Sequence, residues 1–482
     1  MDNLQKDTNS ENTKNTKNTK NNKNNKNTKI NYTLAAYRLC TPEETMEKVE
    51  PILKRIGVTR TARIDGLDRI GIPVYSSIRP EAKEGAISVY AGKGATETQA
   101  KVSSSMEAIE RYCAEQDEYT PLKSTNTPKN PLELKELIIP NLNMLIIHKE
   151  LNNNTNNPNN TNNMDNSNIN ENNMDNVDNT NNNDNNKLDD NLSLNNSNLN
   201  LSAVEWVEGY DIINDEYVDV PANSVFHPYE ANTGKWLFRS NTNGLASGNS
   251  YEEAVFHGIL EVVERDAWSI SELSRNTYRK VNLQNAKNPL IHEMLLKFRK
   301  AKINVIIKDL TSEVGIPTVA CISDEDVLKD PALLCMGVGC HLDPEIAVIR
   351  ALTEVAQSRA TQIHGAREDT VRADLIRKVE YDRMKRIQRR WFTHKEEIDI
   401  AEIKNCASYD LKTDIETVKT MLKDNGFDKI VVLNLNKSTV DDVNVVRVII
   451  PKMEVYAVDD ARISKDVKER IKTNLLGTRK II

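Results

Sequence analysis

Apolar residues along this chain follow two rhythms, one recurring every third or fourth position and one strictly alternating, and the switches between them mark its elements. The pattern predicts a helix over 41–57, entered through Thr41, Pro42, Glu43 and Glu44 as cap, first-turn proline and acidic first turn, and stopped by Gly57. Strands are predicted over 70–78 and 86–91, each rich in β-formers and bounded by Pro or Gly. Alternation resumes at Glu205, Trp206, Val207, Glu208 and Gly209. Further strands are expected over 303–309, 317–322 and 333–338, then a charged helix over 375–390. A helix over 414–425 and strands over 430–435 and 445–450 read as a βαβ-like unit. The whole predicts an α+β fold with several such units and mixed sheets.

One pattern occurs three times: a glycine-bearing loop, then a helix in which an alanine precedes a glutamate by seven positions. Gly92 and Gly94 precede Ala100, Glu107, Glu110 and Arg111. Gly244 and Gly248 precede Ala254, Glu261, Glu264 and Arg265, and Gly337 and Gly339 precede Ala347, Glu354, Gln357 and Arg359. Seven residues is close to two helical turns, so alanine and glutamate share a face and the alanine allows that face to pack closely. A single Glu-x-x-Glu-Arg run is an ordinary solvated helix pattern. Three matched copies instead point to one shared pocket, where carboxylates and arginines need a counter-charge among them. Magnesium bound to phosphate supplies it, because hard cations take carboxylate oxygens while arginine, lysine and backbone N–H groups take phosphate oxygens. The residues therefore predict a nucleotide site with Mg²⁺, and Lys93, between Gly92 and Gly94 after a strand, is a candidate phosphate contact. It is no P-loop, since the Gly-Lys-Ser/Thr ending is missing.

Composition narrows the picture. The chain has 482 residues and a net charge of −7, and its mean hydropathy of −0.59 is polar for a globular enzyme. Two asparagine-rich tracts explain this: an Asn/Thr/Lys tail over 1–35, and an insertion over 151–200 of which about half is asparagine. Neither can bury enough apolar surface to offset the entropy of ordering, so both are expected to be disordered. The folded domain is expected over 36–482, interrupted by the insertion, because the first repeat precedes that tract and the other two follow it. No apolar run spans a bilayer and no apolar segment follows the lysines of the amino terminus. Six cysteines without disulfide spacing fit a cytoplasmic protein. Cys335 and Cys340 read as buried or incidental thiols, and His341 as a weak functional candidate. The acidic balance argues against nucleic-acid binding. A homo-oligomer is expected.

The segments Ser103-x-x-x-Glu107-x-x-Glu110-Arg111, Glu261-x-x-Glu264-Arg265-Asp266 and Glu354-x-x-Gln357-x-Arg359 resemble the three ATP-binding signatures of YcaO proteins. The likeness runs from about Val58 to about Met453 and includes Asn243-Gly244-x-Ala246-x-Gly248 and His341-Leu342-Asp343-Pro344. It implies a YcaO-type fold and ATP-dependent phosphorylation of a peptide backbone amide oxygen, which turns a poor leaving group into phosphate. Glu107, Glu261, Glu264 and Glu354 would hold Mg²⁺. Lys93, Ser103, Arg111, Arg265, Gln357 and Arg359 would contact the nucleotide, with Glu110 a further ligand or an orienter of Arg111. The nucleophile differs within the family. Azoline-forming members end in a proline-rich tail, whereas this sequence carries no proline after Pro451 and no obvious leader-binding domain before the YcaO region. The resemblance is therefore nearest to methanogen-type YcaO proteins, which act with a TfuA-like partner and a sulfide donor to install thioglycine in the α subunit of methyl-coenzyme M reductase. An azoline-forming cyclodehydratase, or a nucleotide- and peptide-binding scaffold without turnover, are the alternatives.

Overall fold

A computed structural model describes residues 31–140 and 201–480, apart from 34, 35, 118, 121, 232–234 and 369–371. The asparagine insertion over 151–200 and most of the amino-terminal tail lie outside the described residues. The first strand, Asn31–Thr33, falls inside the span read as tail and pairs antiparallel with Ala36–Arg38. The predicted first helix is Pro42–Arg55, and Thr41 caps it in a reciprocal capping box with Glu44.

Three sheets carry the rest. Arg60–Arg63, Val74–Ile78 and Val89–Lys93 form a three-stranded antiparallel meander. A five-stranded sheet runs in the order Glu216–Pro221, Trp206–Asp211, Val431–Asn434, Asn444–Ile449, Leu245–Gly248, all antiparallel. A second runs Met336–Cys340, Thr318–Asp324, Asn304–Asp309, Lys280–Asn282, Glu397–Asp399, with only its last pair parallel. The α+β class with mixed sheets holds. The βαβ-like reading of the carboxy-terminal unit does not: Val431–Asn434 and Asn444–Ile449 are a hairpin, joined by a connection too short for a crossover.

The continuous apolar runs of that hairpin have a direct cause. Val431, Leu433 and Val445 pack into one core with Trp206 and Ile109, while Val432, Val446 and Val448 pack on the other face with Ile259 and Val263. A strand buried on both faces reads as unbroken hydrophobicity. The charged helix expected over 375–390 is broken into Arg372–Arg377, Tyr381–Ile387 and Arg389–Phe392, because over 375–392 only Tyr381 and Trp391 are buried among the described residues, too few for an apolar stripe that would support a longer one.

The three glutamate helices are Glu97–Ala114, Tyr251–Ser274 and Pro344–His364. Each follows the edge strand of a different sheet: Val89–Lys93, Leu245–Gly248 and Met336–Cys340. Four of the six glycines read as loop residues, Gly92, Gly248, Gly337 and Gly339, belong to these strands, while Gly94 and Gly244 flank them. A Cβ on Gly92 would lie 2.0 Å from Ser104 N and 2.4 Å from Ala100 O, and one on Gly339 would lie 2.1 Å from Ala347 O. The glycines thus let each helix fold back onto its own strand, and the matching alanines, Ala100, Ala254 and Ala347, are fully buried in the contact. Each helix also packs on another copy's strand: the first on Leu245–Gly248, the second on Met336–Cys340, the third on Val89–Lys93. The three strand–helix units close into a ring.

Candidate active site

The ring surrounds a cavity of about 640 Å³. Of the eleven residues the sequence nominates, ten line it: Lys93, Ser103, Glu107, Glu110, Arg111, Glu261, Glu264, Arg265, Glu354 and Gln357. Contacts between copies set their positions. Ser247 on the second edge strand donates to Glu110 on the first helix at 2.6 Å. Lys93 on the first edge strand pairs with Glu354 on the third helix, and Gln357 donates to the carbonyl of Ala91. Within single helices Arg111 meets Glu107 at 3.2 Å and Arg265 meets Glu264 at 3.6 Å.

Arg359 is not in the cavity. It is fully buried, with Nε 2.8 Å from Asp68, Nη2 3.1 Å from Glu325 and Nη1 donating to Leu333 O. The reason is helical phase. In the first two copies arginine follows glutamate by four positions and stays on its face, whereas Arg359 follows Glu354 by five, which carries it about 140° round the helix. Arg350, four positions before Glu354, occupies the cavity face instead. Sequence reasoning missed it although the spacing of four was legible. It also missed Arg38, Asn249, Glu253 and His257, which line the end of the cavity reached by the amino-terminal hairpin. There Glu253 accepts from Arg38 at 3.0 Å and from Leu39 N at 3.0 Å. His341 lines the same end. Its Nδ1 accepts from Asp343 N at 2.9 Å, so Nε2 carries the proton and finds no partner, and burial holds the ring neutral.

Electrostatics separates the carboxylates. Burial pushes Glu110 up to about 7, helped by Glu107 and Glu261 and opposed by Ser247 and Arg111. Burial also raises Glu264 to about 7, with Glu354 adding and Arg265 opposing, and it raises Glu261 against four arginines. In Glu354 burial is outweighed by Lys93 and Arg265, and its carboxyl is held low. Desolvation, more than mutual repulsion, is thus what makes the empty cluster unfavourable.

The donor set fits a magnesium nucleotide. Arg111 Nε and Arg350 Nε are buried without hydrogen-bond partners, in a cavity where burial pushes the carboxyls of Glu110, Glu261 and Glu264 up. Among the described residues no three His, Cys, Asp or Glu side chains form a preassembled metal cage. The four nominated glutamates are therefore not a closed ligand set. Mg²⁺ commonly binds through one or two carboxylates plus substrate phosphates and water, and this arrangement suits that mode. Cys335 and Cys340 are buried, free thiols pushed up to about 12 by burial, with no part in the cavity.

A family model described as YcaO cyclodehydratase, ATP- and Mg²⁺-binding, matches residues 91–454. The chain belongs to the YcaO family. ATP and Mg²⁺ are its cofactors. An uncharacterised protein of Methanothermobacter thermautotrophicus is 43% identical over 436 residues, covering 89% of this chain and 98% of that one. A protein encoded in the tfuA 3′ region of Rhizobium leguminosarum bv. trifolii is 28% identical, over 69% of each chain. The structure of YcaO from Methanopyrus kandleri bound with AMPPCP and Mg²⁺ superimposes with a TM-score of 0.66 at 27% identity, covering 91% of this chain and 98% of that one. No helix among the described residues is long and apolar enough to cross a membrane.

Proposed function

We propose that this YcaO protein activates a peptide backbone amide with ATP and that sulfide then replaces the amide oxygen to give a thioamide, the substrate being a glycine in the α subunit of methyl-coenzyme M reductase. The observation that carries the activation step is the convergence of Glu107, Glu110, Glu261, Glu264 and Glu354 with Lys93, Arg111, Arg265 and Arg350 on one cavity. The methanogen relative and the relative encoded beside tfuA support the thioamide branch and a TfuA-like partner. We further infer a cytoplasmic homo-oligomer whose YcaO domain spans 36–482 around the 151–200 insertion, with no nucleic-acid partner.

When bound, ATP supplies the γ-phosphoryl group that makes the amide oxygen a leaving group, and Mg²⁺ offsets the phosphate charge. The chain's own residues position and neutralise. Glu107, Glu261, Glu264 and Glu354 are the metal-side carboxylates. Arg111 and Arg350 present unsatisfied N–H groups, Arg265 and Lys93 add positive charge, and Ser103 and Gln357 are neutral donors at the same wall. Glu110, tied to Ser247 and pushed up to about 7, feels Arg111 through charge and serves as a further ligand or as an orienter of that arginine.

The family model's description as a cyclodehydratase favours one second reading, ring closure by a Cys, Ser or Thr side chain of the substrate. One assay separates them. The protein, its TfuA-like partner, Mg-ATP, sulfide and a glycine-containing peptide are incubated and the peptide is weighed by mass spectrometry. Oxygen-to-sulfur exchange with ADP release is expected. Loss of water from a Cys-containing peptide would move the assignment to the azoline branch, and ATP turnover indifferent to every peptide would remove both.

A further inference from the structure

Behind the ring lies a second, smaller cavity of about 50 Å³, lined by Arg447, Arg462, Asn241, Asn243, Ser224 and Phe238 among others. Arg447 is 3% exposed. Its Nε donates to Ser224 O at 2.9 Å and its Nη2 to Asn241 O at 2.8 Å, and its Nη1 has no partner. Arg462 is 6% exposed, donates to the carbonyls of Leu137 and Ile138, and lies 3.9 Å over the Phe238 ring. Among the described residues neither guanidinium forms an ion pair. Glu136 lines the same cavity, 3.7 Å from Lys452, while Glu261 pulls on Arg447 from the nucleotide side and Asp459 and Glu454 on Arg462. Burial lowers both arginines to about 10, which leaves them charged at neutral pH.

Two buried cations without a salt-bridge partner facing one small space are costly unless a counter-charge arrives. The Asn243 side-chain oxygen is also buried without a partner. An amide's orientation is assigned from its hydrogen bonds, so a half-turn would present its NH₂ group to the cavity beside Arg447 Nη1. We propose that this cavity is a binding site for one small, singly charged anion of hydrosulfide or halide size, held between Arg447 and Arg462 with the amide of Asn243 as a further donor. The two N–H donors of Arg447 Nη1 and the two of one amide, in about 50 Å³, suit a small anion and not a phosphate with four oxygens to satisfy. The volume suits the ion with a water or two, since a water needs roughly 10–15 Å³ on this measure.

The wall between the cavities is thin. Thr242 and Leu245 line the large cavity and Asn241 and Asn243 the small one, just as Glu261 and Val262 divide between them on the helix. Resting on the thioamide reading, the anion assigned in the working enzyme is hydrosulfide, held across that wall from the large cavity. The anion site itself does not need that reading.

The test is anomalous diffraction from crystals of the full chain in sodium bromide, followed by soaking in hydrosulfide. A bromide peak at Arg447 Nη1 and Asn243 is expected, displaced by hydrosulfide. It should be absent in Asn243→Asp, an isosteric change that fills the cavity with negative charge, while ATP affinity measured on the same protein stays within twofold. Only water in the cavity, or a peak elsewhere and an adventitious ion only, would overturn the site. Bromide that hydrosulfide fails to displace would overturn the sulfide assignment. A peak that persists in Asn243→Asp but vanishes in Arg447→Lys would overturn the role given to the amide.

Discussion

Helix Pro344–His364 carries a buried charge cluster on each of two faces, and the two are built on opposite principles. On one, Arg359 meets Asp68 and Glu325, and Glu325 also accepts from Arg69 and from the N–H groups of Val327 and Leu328. Its burial is outweighed by those bonds, the N–H of Leu328 first, and its carboxyl is held below the usual range. On the other, Glu354, held low by Lys93 and Arg265, and Arg350 join Glu110, Glu261 and Glu264, whose carboxyls are driven up by burial, and arginine nitrogens lack partners. The closed network needs nothing more. The open one keeps unpartnered donors and raised carboxyls for what it binds, and that difference distinguishes a structural cluster from a functional one.

Substitution should split the two. Arg359→Met leaves buried Asp68 without its cation and takes one of two guanidinium partners from Glu325, and should lower stability by about 3–5 kcal/mol in denaturant titrations, with ATP affinity of the folded fraction unchanged. Normal stability with lost ATP binding would invert the comparison. Glu261→Gln or Glu264→Gln should instead leave a protein with native circular dichroism and weaken Mg-ATP binding about 100-fold, roughly 2.7 kcal/mol, by calorimetry. Unchanged affinity in both variants would detach the carboxylates from the nucleotide.

The same contrast shows what the sequence could tell. The edge strands and helices were legible because glycine, alanine and glutamate recur at fixed spacing, and that spacing is itself the strand–helix contact. The role of the glycines was not, since a glycine in a strand and one in a loop look alike until the packing partner is known. Arg359 misled because it sits in a motif where two copies keep a spacing of four and the third has five, and one residue of slip moves a side chain to another face. Lys280–Asn282 went unpredicted because it is three residues long and its partners, over 304–309 and 397–399, lie far along the chain, whereas Arg60–Arg63 and Glu216–Pro221 pair with sequence neighbours but carry charged residues at both ends or mid-strand that interrupt any apolar run.

The two clusters should also respond to pH in opposite directions. Glu110 and Glu264 have folded pKa values raised from 4.5 to about 7, so the native state holds protons that the unfolded chain has released. Their contribution to stability is complete below about pH 4.5 and is lost as pH rises through about 7. Glu325 is lowered, so its contribution is complete above 4.5 and is lost on acidification below that value. Denaturation midpoints of wild type and Glu110→Gln compared between pH 5 and 8 should converge with rising pH if the wild type starts higher. Mg-ATP should flatten the wild-type trend. A wild-type advantage that grows from pH 5 to 8 would place Glu110 in the settled class.

The smallest effect tests how finely the open cluster is tuned. Ser247 donates to Glu110 at 2.6 Å and opposes the rise that burial imposes, so it is a neutral group acting across the first and second copies on that carboxyl. A hydrogen bond of this kind is worth about 0.5–1.5 kcal/mol, at most about one pKa unit. Ser247→Ala keeps the strand, because the backbone of Ser247 still pairs with Val445, and it removes only the hydroxyl. The alkaline shift this predicts, under about one unit, should appear in an isotope-edited infrared titration of the Glu110 carboxyl and as an equal shift in the pH at which Mg-ATP binds half-maximally. A titration that stays in place would mean the hydroxyl merely rests against a carboxyl set by burial alone.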